Sequence, residues 1–147
     1  MASQTQAHTS VRAVDAMYGG SQMADYGLFI GWGALVRGRE LKGLEVFNES
    51  IQFWADHQKK GNIESFEPVL LTPHGGDLAG FLLIKGEGAK LDQIKRSDEY
   101  LALNTRAGQV VDDLGFVDCL LGAKLQEQMA EFKNKTADIL GAHAMAR

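Results

Sequence analysis

The chain has 147 residues, of which 45% are hydrophobic and 23% charged, as expected for one globular domain with a buried core. With 15 Lys and Arg against 19 Asp and Glu, the formal net charge is −4, which argues against a nucleic-acid-binding module, because such modules concentrate basic residues on one face. One cysteine, Cys119, excludes an intrachain disulfide and a cage of thiolate metal ligands.

Residues 1–25 are predicted to form a polar N-terminal arm rather than a targeting segment. They contain no apolar run of the kind that a secretory signal needs, and Arg12 stands alone where organelle transit peptides are rich in arginine. Glycine or charge interrupts the later apolar stretches before they reach the roughly 20 residues of a membrane span. We therefore expect a cytoplasmic protein without a membrane partner.

A strand and a long helix are predicted after the arm. Residues 26–37 (YGLFIGWGALVR) are apolar on both faces and rich in aromatic and β-branched residues, which is typical of a central strand. From Glu40 to Lys60, one helical stripe is apolar, with Leu41, Leu44, Phe47, Ile51, Trp54 and Ala55. Lys59, Lys60 and Gly61 then favour the end of the helix. Cations stabilise the negative end of the helix dipole, and glycine can adopt the positive φ that often follows a helix.

A hairpin follows the helix. Residues 63–72 read as the second strand, and Pro68 predicts that this strand lies at an edge, because proline cannot donate a hydrogen bond to a neighbouring strand. The segment 73–77 (PHGGD) is typical of a turn, and residues 78–85 return as the third strand.

The rest of the chain is predicted to contain two helices, a strand and a terminal helix. Ser97, followed by two acidic residues, is typical of an N-cap, so we expect a short helix near 89–96 and a longer one near 98–112. Residues 114–121 form the fourth strand. Residues beyond 122 form an amphipathic helix, whose apolar stripe consists of Leu125, Met129, Phe132 and Ile139.

The element order β-α-β-β-α-β predicts an α+β domain over 26–122, followed by a C-terminal helix and tail over 123–147. Short right-handed crossovers convert this order into a four-stranded antiparallel sheet, with strands in the order 4-1-3-2 and both helices on one face. The first strand is then central and the strand with Pro68 is at an edge. Both positions agree with the compositions of these strands.

The sheet has a second face, away from the helices. Because successive side chains of a strand point to opposite faces, the sequence divides each strand into two sets of residues, one for each face. We give the purely apolar sets to the helix side, including Val117, Cys119 and Leu121, and expect Cys119 to be buried and inert there. Trp32 and Trp54 are expected to meet in the same core. The second face is still apolar, with Phe29, Leu35, Phe81, Leu83, Phe116 and Leu120. So large an apolar patch predicts a homodimer that forms through the sheets.

The element order, the split helix around "KRSDEYLALNTRAG" and the last strand "GFVDCLLG" resemble the dimeric α/β barrel superfamily over residues 26–122. That group has ferredoxin-like folds and includes antibiotic-biosynthesis-type monooxygenases, muconolactone isomerases, and YCII-like and EthD-like proteins. The resemblance implies two sheets closed face to face around a small hydrophobic ligand. It also implies monooxygenase-like or isomerase-like chemistry without a bound metal or flavin.

Asp118 is the first candidate catalytic residue, because it interrupts an apolar strand on the face assigned to the barrel interior. It is either a buried general base with a raised pKa or a structural carboxylate that is hydrogen-bonded or paired with a cation such as Arg37. Either Gly31 or Gly33 is expected nearby, and these glycines leave space for a ligand or permit a bend in the strand. Leu83 and Phe116 complete the predicted ligand-binding set.

His74, in the turn after the second strand, is the second candidate catalytic residue, as an acid or base at the barrel mouth. A solvated turn histidine is the competing interpretation. Lys85 and Arg37 at strand ends could meet an anionic ligand, but cations at strand ends are usually solvated, and we favour that interpretation. The four histidines have no spacing typical of metal ligands, so we predict no metal and no cofactor.

Two hypotheses for function result. In the first, the dimer binds or converts a small hydrophobic molecule inside the barrel. In the second, the same face is only a dimer interface in a protein without catalysis.

Overall fold

The structure, a computed structural model, describes residues 24–141. Within them the strands are β1 (Tyr26–Trp32), β2 (Ser65–Leu70), β3 (Gly80–Gly86) and β4 (Gly115–Leu120), and the helices are α1 (Glu40–Lys59), α2 (Gly88–Lys95), α3 (Asp98–Gly108) and α4 (Gly122–Leu140). The predicted β-α-β-β-α-β order with a split second helix and a terminal helix is confirmed. Nearly all of the predicted arm, residues 1–23, lies outside the described residues.

The strands form one antiparallel sheet in the order β2-β3-β1-β4. This is the predicted order 4-1-3-2 read from the other edge, and the ferredoxin-like α+β fold class is confirmed. The central strand is β1, which pairs with both β3 and β4. Pro68 lies on the edge strand β2, opposite Leu82, as its missing N–H requires.

The core lies between one face of the sheet and the first three helices; we call this sheet face the helix face. Trp54 of α1 is 1% exposed and contacts Tyr100 of α3 edge to face, with ring centroids 6.1 Å apart. The other buried members of this cluster are Leu28, Ile30, Ile63, Leu82, Ile84, Leu91 and Ile94. Trp32 packs against it from β1, so the predicted core role of both tryptophans is confirmed.

The break between α2 and α3 has the cap that its sequence predicts. The Ser97 hydroxyl accepts a hydrogen bond from the Tyr100 N–H at 3.3 Å, which satisfies one donor of the first turn of α3. The predicted end near 112 is wrong, because α3 ends at Gly108 and the chain then turns to bury Val110.

Strand β1 ends at Trp32, not at Arg37 as predicted. The Gly33 N–H donates to the carbonyl of Asp112 at 2.7 Å, and a Cβ at Gly33 would lie 3.0 Å from that oxygen and 3.1 Å from the carbonyl of Asp77. This close backbone approach ends the regular alternation. Leu35, predicted on the second face, therefore lies at the helix side, beside Gly43 of α1.

The predicted facing of β4 is also wrong. Phe116 lies opposite Ile30 and Asp118 lies opposite Leu28, and residues directly opposite in adjacent strands share a face. Phe116, Asp118 and Leu120 are thus on the helix face, whereas Val117 and Cys119 are on the second face. The assumption that the helix side takes only apolar residues fails because β4 is an edge strand, where a carboxylate can stay largely in solvent.

Helix α4 follows β4, and none of its residues is buried against the part of the chain that the structure describes. Its predicted apolar stripe is therefore exposed, with Leu125, Met129, Phe132 and Ile139 open to solvent. No helix within residues 24–141 combines the length and hydropathy that crossing a bilayer requires.

Candidate functional site

The candidate site is a cavity of about 290 Å³ under the helices, where β1 ends. The first half of α1 and the second half of α3 form its walls, and the helix face of the sheet forms its floor. Its lining is Ile30, Trp32, Leu35, Gly43, Leu44, Val46, Phe47, Ser50, Trp54, Leu70, Leu82, Leu103, Asn104, Ala107, Val110, Val111, Leu114 and Phe116. Two of the lining residues, Gly43 and Ala107, are small, and the Leu35 side chain occupies the space beside Gly43.

Two side chains give this apolar lining its polar character. The Ser50 hydroxyl donates to the Val46 carbonyl at 2.9 Å and keeps its acceptor lone pairs. The Asn104 side chain is hydrogen-bonded to Tyr100, an interaction that lowers the Tyr100 pKa, although burial outweighs it and raises that pKa overall. The arrangement suits a mostly apolar molecule that carries one hydrogen-bonding group.

The predicted ligand-binding residues do not come together at one site. Phe116 lines the cavity, but from the helix face, whereas Leu83 lies on the second face of the sheet. The space above Gly31 is filled, since a Cβ there would lie 2.8 Å from the Phe29 ring and 3.0 Å from Leu78. Gly33 serves the backbone contact at the end of β1, so neither glycine opens a pocket.

Asp118 lies on the helix face opposite Leu28, so its predicted positions on the other face and beside Gly31 or Gly33 are wrong. Its Oδ1 accepts a hydrogen bond from the Lys95 ammonium of α2 at 2.8 Å, and its side chain is 73% exposed. This bond, with help from Asp92 at 3.4 Å, raises the pKa of Lys95 above its usual value. The cation partner foreseen for a structural carboxylate is present, although it is Lys95 instead of Arg37.

Replacing Asp118 by asparagine is therefore expected to lower the free energy of unfolding by less than about 1 kcal/mol, because exposed ion pairs contribute little. Urea denaturation followed by circular dichroism measures this change, with Asp92→Asn as a matched control that removes the more distant carboxylate. A loss above about 2 kcal/mol would contradict the exposed placement of Asp118, since such losses come from broken buried pairs.

His74 holds the turn before β3 together. Its Nε2 lies 2.8 Å from the Leu78 carbonyl, and its Nδ1 accepts from the Gly76 N–H at 3.2 Å. A neutral ring with its proton on Nε2 satisfies both contacts. The structure thus gives His74 a local structural task, while an acid–base role stays a prediction.

His57, near the end of α1, is the histidine with a perturbed environment. Burial lowers its pKa below the ordinary 6.5, Lys60 lowers it further, and Glu99 and Asp56 oppose the change. Its Nδ1 lies 3.0 Å from the Asn62 amide nitrogen, and its ring lies 4.6 Å from the Phe53 ring. If the amide donates, Nδ1 must be unprotonated, so the contact also favours the neutral ring.

A pH dependence of stability follows from His57. With its pKa lower in the folded state, the unfolded chain binds the proton first, so stability is full above about pH 6.5 and falls as the pH drops through the folded-state pKa. His57→Gln, which keeps an acceptor for Asn62, should flatten the decline measured by urea denaturation between about pH 7 and pH 5. His74→Gln is the matched control, and an equal flattening in both variants would contradict this origin.

Cys119 lies on the second face of the sheet and not in the helix-packed core, so its predicted position is wrong. It is only partly buried, and its thiol lies 3.6 Å from the Val117 carbonyl. Burial nevertheless raises the pKa of the thiol, which disfavours a nucleophilic thiolate. Among residues 24–141, no three His, Cys, Asp or Glu side chains are grouped as ligands for a metal ion.

Sequence reasoning missed the cavity itself. Ser50 and Asn104 were not singled out, because one polar residue on an apolar helix face is common in soluble proteins. The available signal was Ala107, a small residue that faces the cavity from α3. Which residues face the cavity depends on how the helices are placed. The spacing of residues along the sequence does not give that placement.

Comparison with known proteins finds similarity among solved structures only. No protein-family model matches the chain, and no curated protein matches it. A solved structure similar to it is a dimeric protein of unknown function and ferredoxin-like fold from Bacteroides fragilis NCTC 9343, with 15% identity over 67% of this chain and 99% of that one, and a TM-score of 0.49. The description of this chain therefore rests on its own strand order and packing: a ferredoxin-like α+β protein with an apolar cavity under its helices.

Proposed function

We propose that the protein binds a small, mostly apolar molecule with one hydrogen-bonding group in the cavity between α1, α3 and the sheet. The observation that carries the proposal is an apolar lining with two polar side chains, Ser50 and Asn104, that retain hydrogen-bonding capacity. Water gains little from filling such a space, whereas an apolar molecule gains contacts with almost every wall.

The size of the cavity sets the size of the ligand. Its volume of about 290 Å³ exceeds the roughly 150 Å³ that suffices for benzene and lies near the lower end of the usual range for ligand pockets, about 300 Å³. A molecule of one or two fused rings, or a short alkyl chain, fits this limit. The polar side chains favour a hydroxyl or carbonyl group over a charged one, because no ionised partner belongs to the lining.

The lining favours binding over acid–base catalysis. Ser50 donates to a carbonyl of its own helix, and no base is within the lining to activate its hydroxyl. The family resemblance implies monooxygenase-like or isomerase-like chemistry, and this stays a prediction. The lining of this cavity contains no proton acceptor for such chemistry.

Binding is tested with 2-naphthol as the probe and with a variant that fills the cavity. Ala107→Phe is expected to weaken binding at least tenfold in isothermal titration calorimetry, because the new ring occupies the space of the probe. Ala102→Phe is the matched control, since Ala102 lies on the same helix with its side chain exposed, and it should leave the affinity within about twofold. Circular dichroism verifies that both variants are folded.

Two results would contradict the proposal. One is an absence of binding by the parent chain at millimolar 2-naphthol. The other is equal binding by the Ala107 and Ala102 variants, which would place the probe elsewhere. Naphthalene serves as the comparison for the hydroxyl group, and weaker binding of naphthalene supports a role for Ser50 or Asn104.

We also propose that the chain is a homodimer through the second face of the sheet. Phe29 and Phe81 stack there with ring centroids 4.9 Å apart, and Val69, Leu83 and Val117 extend the apolar surface. Glu67 and Lys85 border it on neighbouring strands, and within residues 24–141 neither has an ion-pair partner. A two-fold axis would bring the anion of each copy toward the cation of the other, as an isologous interface requires.

A further inference from the structure

Helix α4 carries an apolar stripe that nothing among residues 24–141 covers. Phe132 is 65% exposed and Ile139 is 84% exposed, and the helix buries none of its 19 residues. In proteins most of the stability of a helix comes from the packing of its apolar face and not from the helix alone. The stripe therefore needs a partner.

The mouth of the cavity is a second uncovered apolar surface. Four side chains of its lining protrude into solvent; they are Leu35, Leu44, Leu70 and Phe116, of which Leu70 is 72% exposed. We call these four residues the rim. A ligand below the rim would remain in contact with water unless another apolar surface covered it.

The charges beside the stripe and the rim are complementary. At about 100° per residue, Lys133 and Lys135 border the stripe on its two sides. Beside Leu35 of the rim, the backbones of Asp77 and Asp112 and the carboxylate of Asp113 surround Gly33, with the Asp113 Oδ2 3.2 Å from the position of a Cβ there. Within residues 24–141, none of these two lysines and three aspartates has an ion-pair partner.

A second copy satisfies both surfaces at once, because each chain carries one stripe and one rim. In a single chain the helix begins at the end of the sheet opposite the rim. Helix α4 begins at Gly122, where a Cβ would lie 3.2 Å from the carbonyl of Ala24 just before β1, whereas the rim surrounds the other end of β1. A closed two-fold pair buries two stripes and two rims without leaving an open end.

We propose that α4 of a second copy lies across the rim and closes the cavity, so that the ligand site is complete only in the dimer. This inference rests on the proposed ligand cavity and the proposed homodimer. The apolar stripe covers the mouth, and Lys133 and Lys135 lie near the acidic residues around Gly33. Each copy thus provides the lid for the other.

Cross-linking between two different full-length chains tests the exchange. Both chains carry Cys119→Ser; one also carries Phe132→Cys and an affinity tag, and the other carries Leu44→Cys. After co-expression and oxidation, we expect a disulfide-linked heterodimer on a non-reducing gel. Asn134→Cys in place of Phe132→Cys is the matched control, because Asn134 lies on the polar side of α4, and its yield should be at least fivefold lower.

Equal yields for the two positions, or no heterodimer from either, would overturn the proposal. So would a disulfide within one chain that carries both Phe132→Cys and Leu44→Cys, because the helix would then cover its own rim. Sedimentation of the parent chain tests the proposed dimer, and its affinity for 2-naphthol tests the proposed ligand cavity, each independently of the helix exchange. If the parent chain is a dimer and binds 2-naphthol but no cross-link forms, only the proposed helix exchange is overturned. If the parent chain is a monomer, the proposed dimer is overturned as well.

Discussion

Replacing Trp54 by alanine is expected to lower the free energy of unfolding by about 3–5 kcal/mol, the usual loss when a buried aromatic side chain is removed. Trp54 is among the largest fully buried side chains, and it contacts the rings of Phe53 at 4.9 Å and Tyr100 at 6.1 Å. It connects α1 to α3 above the sheet. Its loss removes apolar burial and also enlarges the cavity beside it, so that both costs add.

Urea denaturation followed by circular dichroism measures this loss at one fixed protein concentration, because dimerisation makes stability depend on concentration. Trp54→Phe is the control, since it keeps an aromatic ring in the same place and should lose less than the alanine variant. An alanine variant less than about 1 kcal/mol below the parent would contradict the assignment of Trp54 to a tightly packed core.

Replacing Phe81 by glutamate is expected to raise the dissociation constant of the dimer at least a hundredfold. Phe81 lies on the second face of the sheet and stacks with Phe29, at the centre of the apolar surface proposed to meet a second copy. A carboxylate there would be buried without a partner, which is among the most destabilising changes an interface can undergo. The monomer should tolerate it, because Phe81 is only partly buried in the single chain.

Sedimentation equilibrium over a range of concentrations measures the dissociation constant. Leu101→Glu is the matched control, because Leu101 is an exposed apolar residue on α3, on the opposite side of the sheet, and it should leave the dissociation constant within about threefold. A parent chain that sediments as a monomer, or a Phe81→Glu variant that dimerises as the parent does, would contradict the sheet-to-sheet interface.

The order of elements and the sheet topology could be predicted because several local signals agree. Pro68 placed β2 at an edge, Ser97 marked the start of α3, and the apolar composition of β1 placed it at the centre. Each signal is a property of a short segment, such as a missing N–H or a side chain that caps a helix. Properties of that kind are readable without knowing the rest of the fold.

The facing of β4 could not be predicted, because alternation gives two sets of residues without telling which set faces the helices. The rule that polar residues avoid the covered face failed at Asp118, which reaches solvent and Lys95 at the sheet edge. That single error moved Phe116 to the wrong face and placed the candidate site in the barrel. The cavity depends on the distance between α1 and α3, which no local sequence pattern specifies.

The most direct test of the ligand cavity is the position of bound 2-naphthol in the full-length protein with ¹³C-labelled methyl groups. Intermolecular nuclear Overhauser effects locate the probe without any substitution. We expect contacts with the methyl groups of Val46, Leu103 and Val110, which line the cavity under the helices. Contacts restricted to Val69, Leu83 and Val117 on the second face would contradict this account and return the site to the barrel interior.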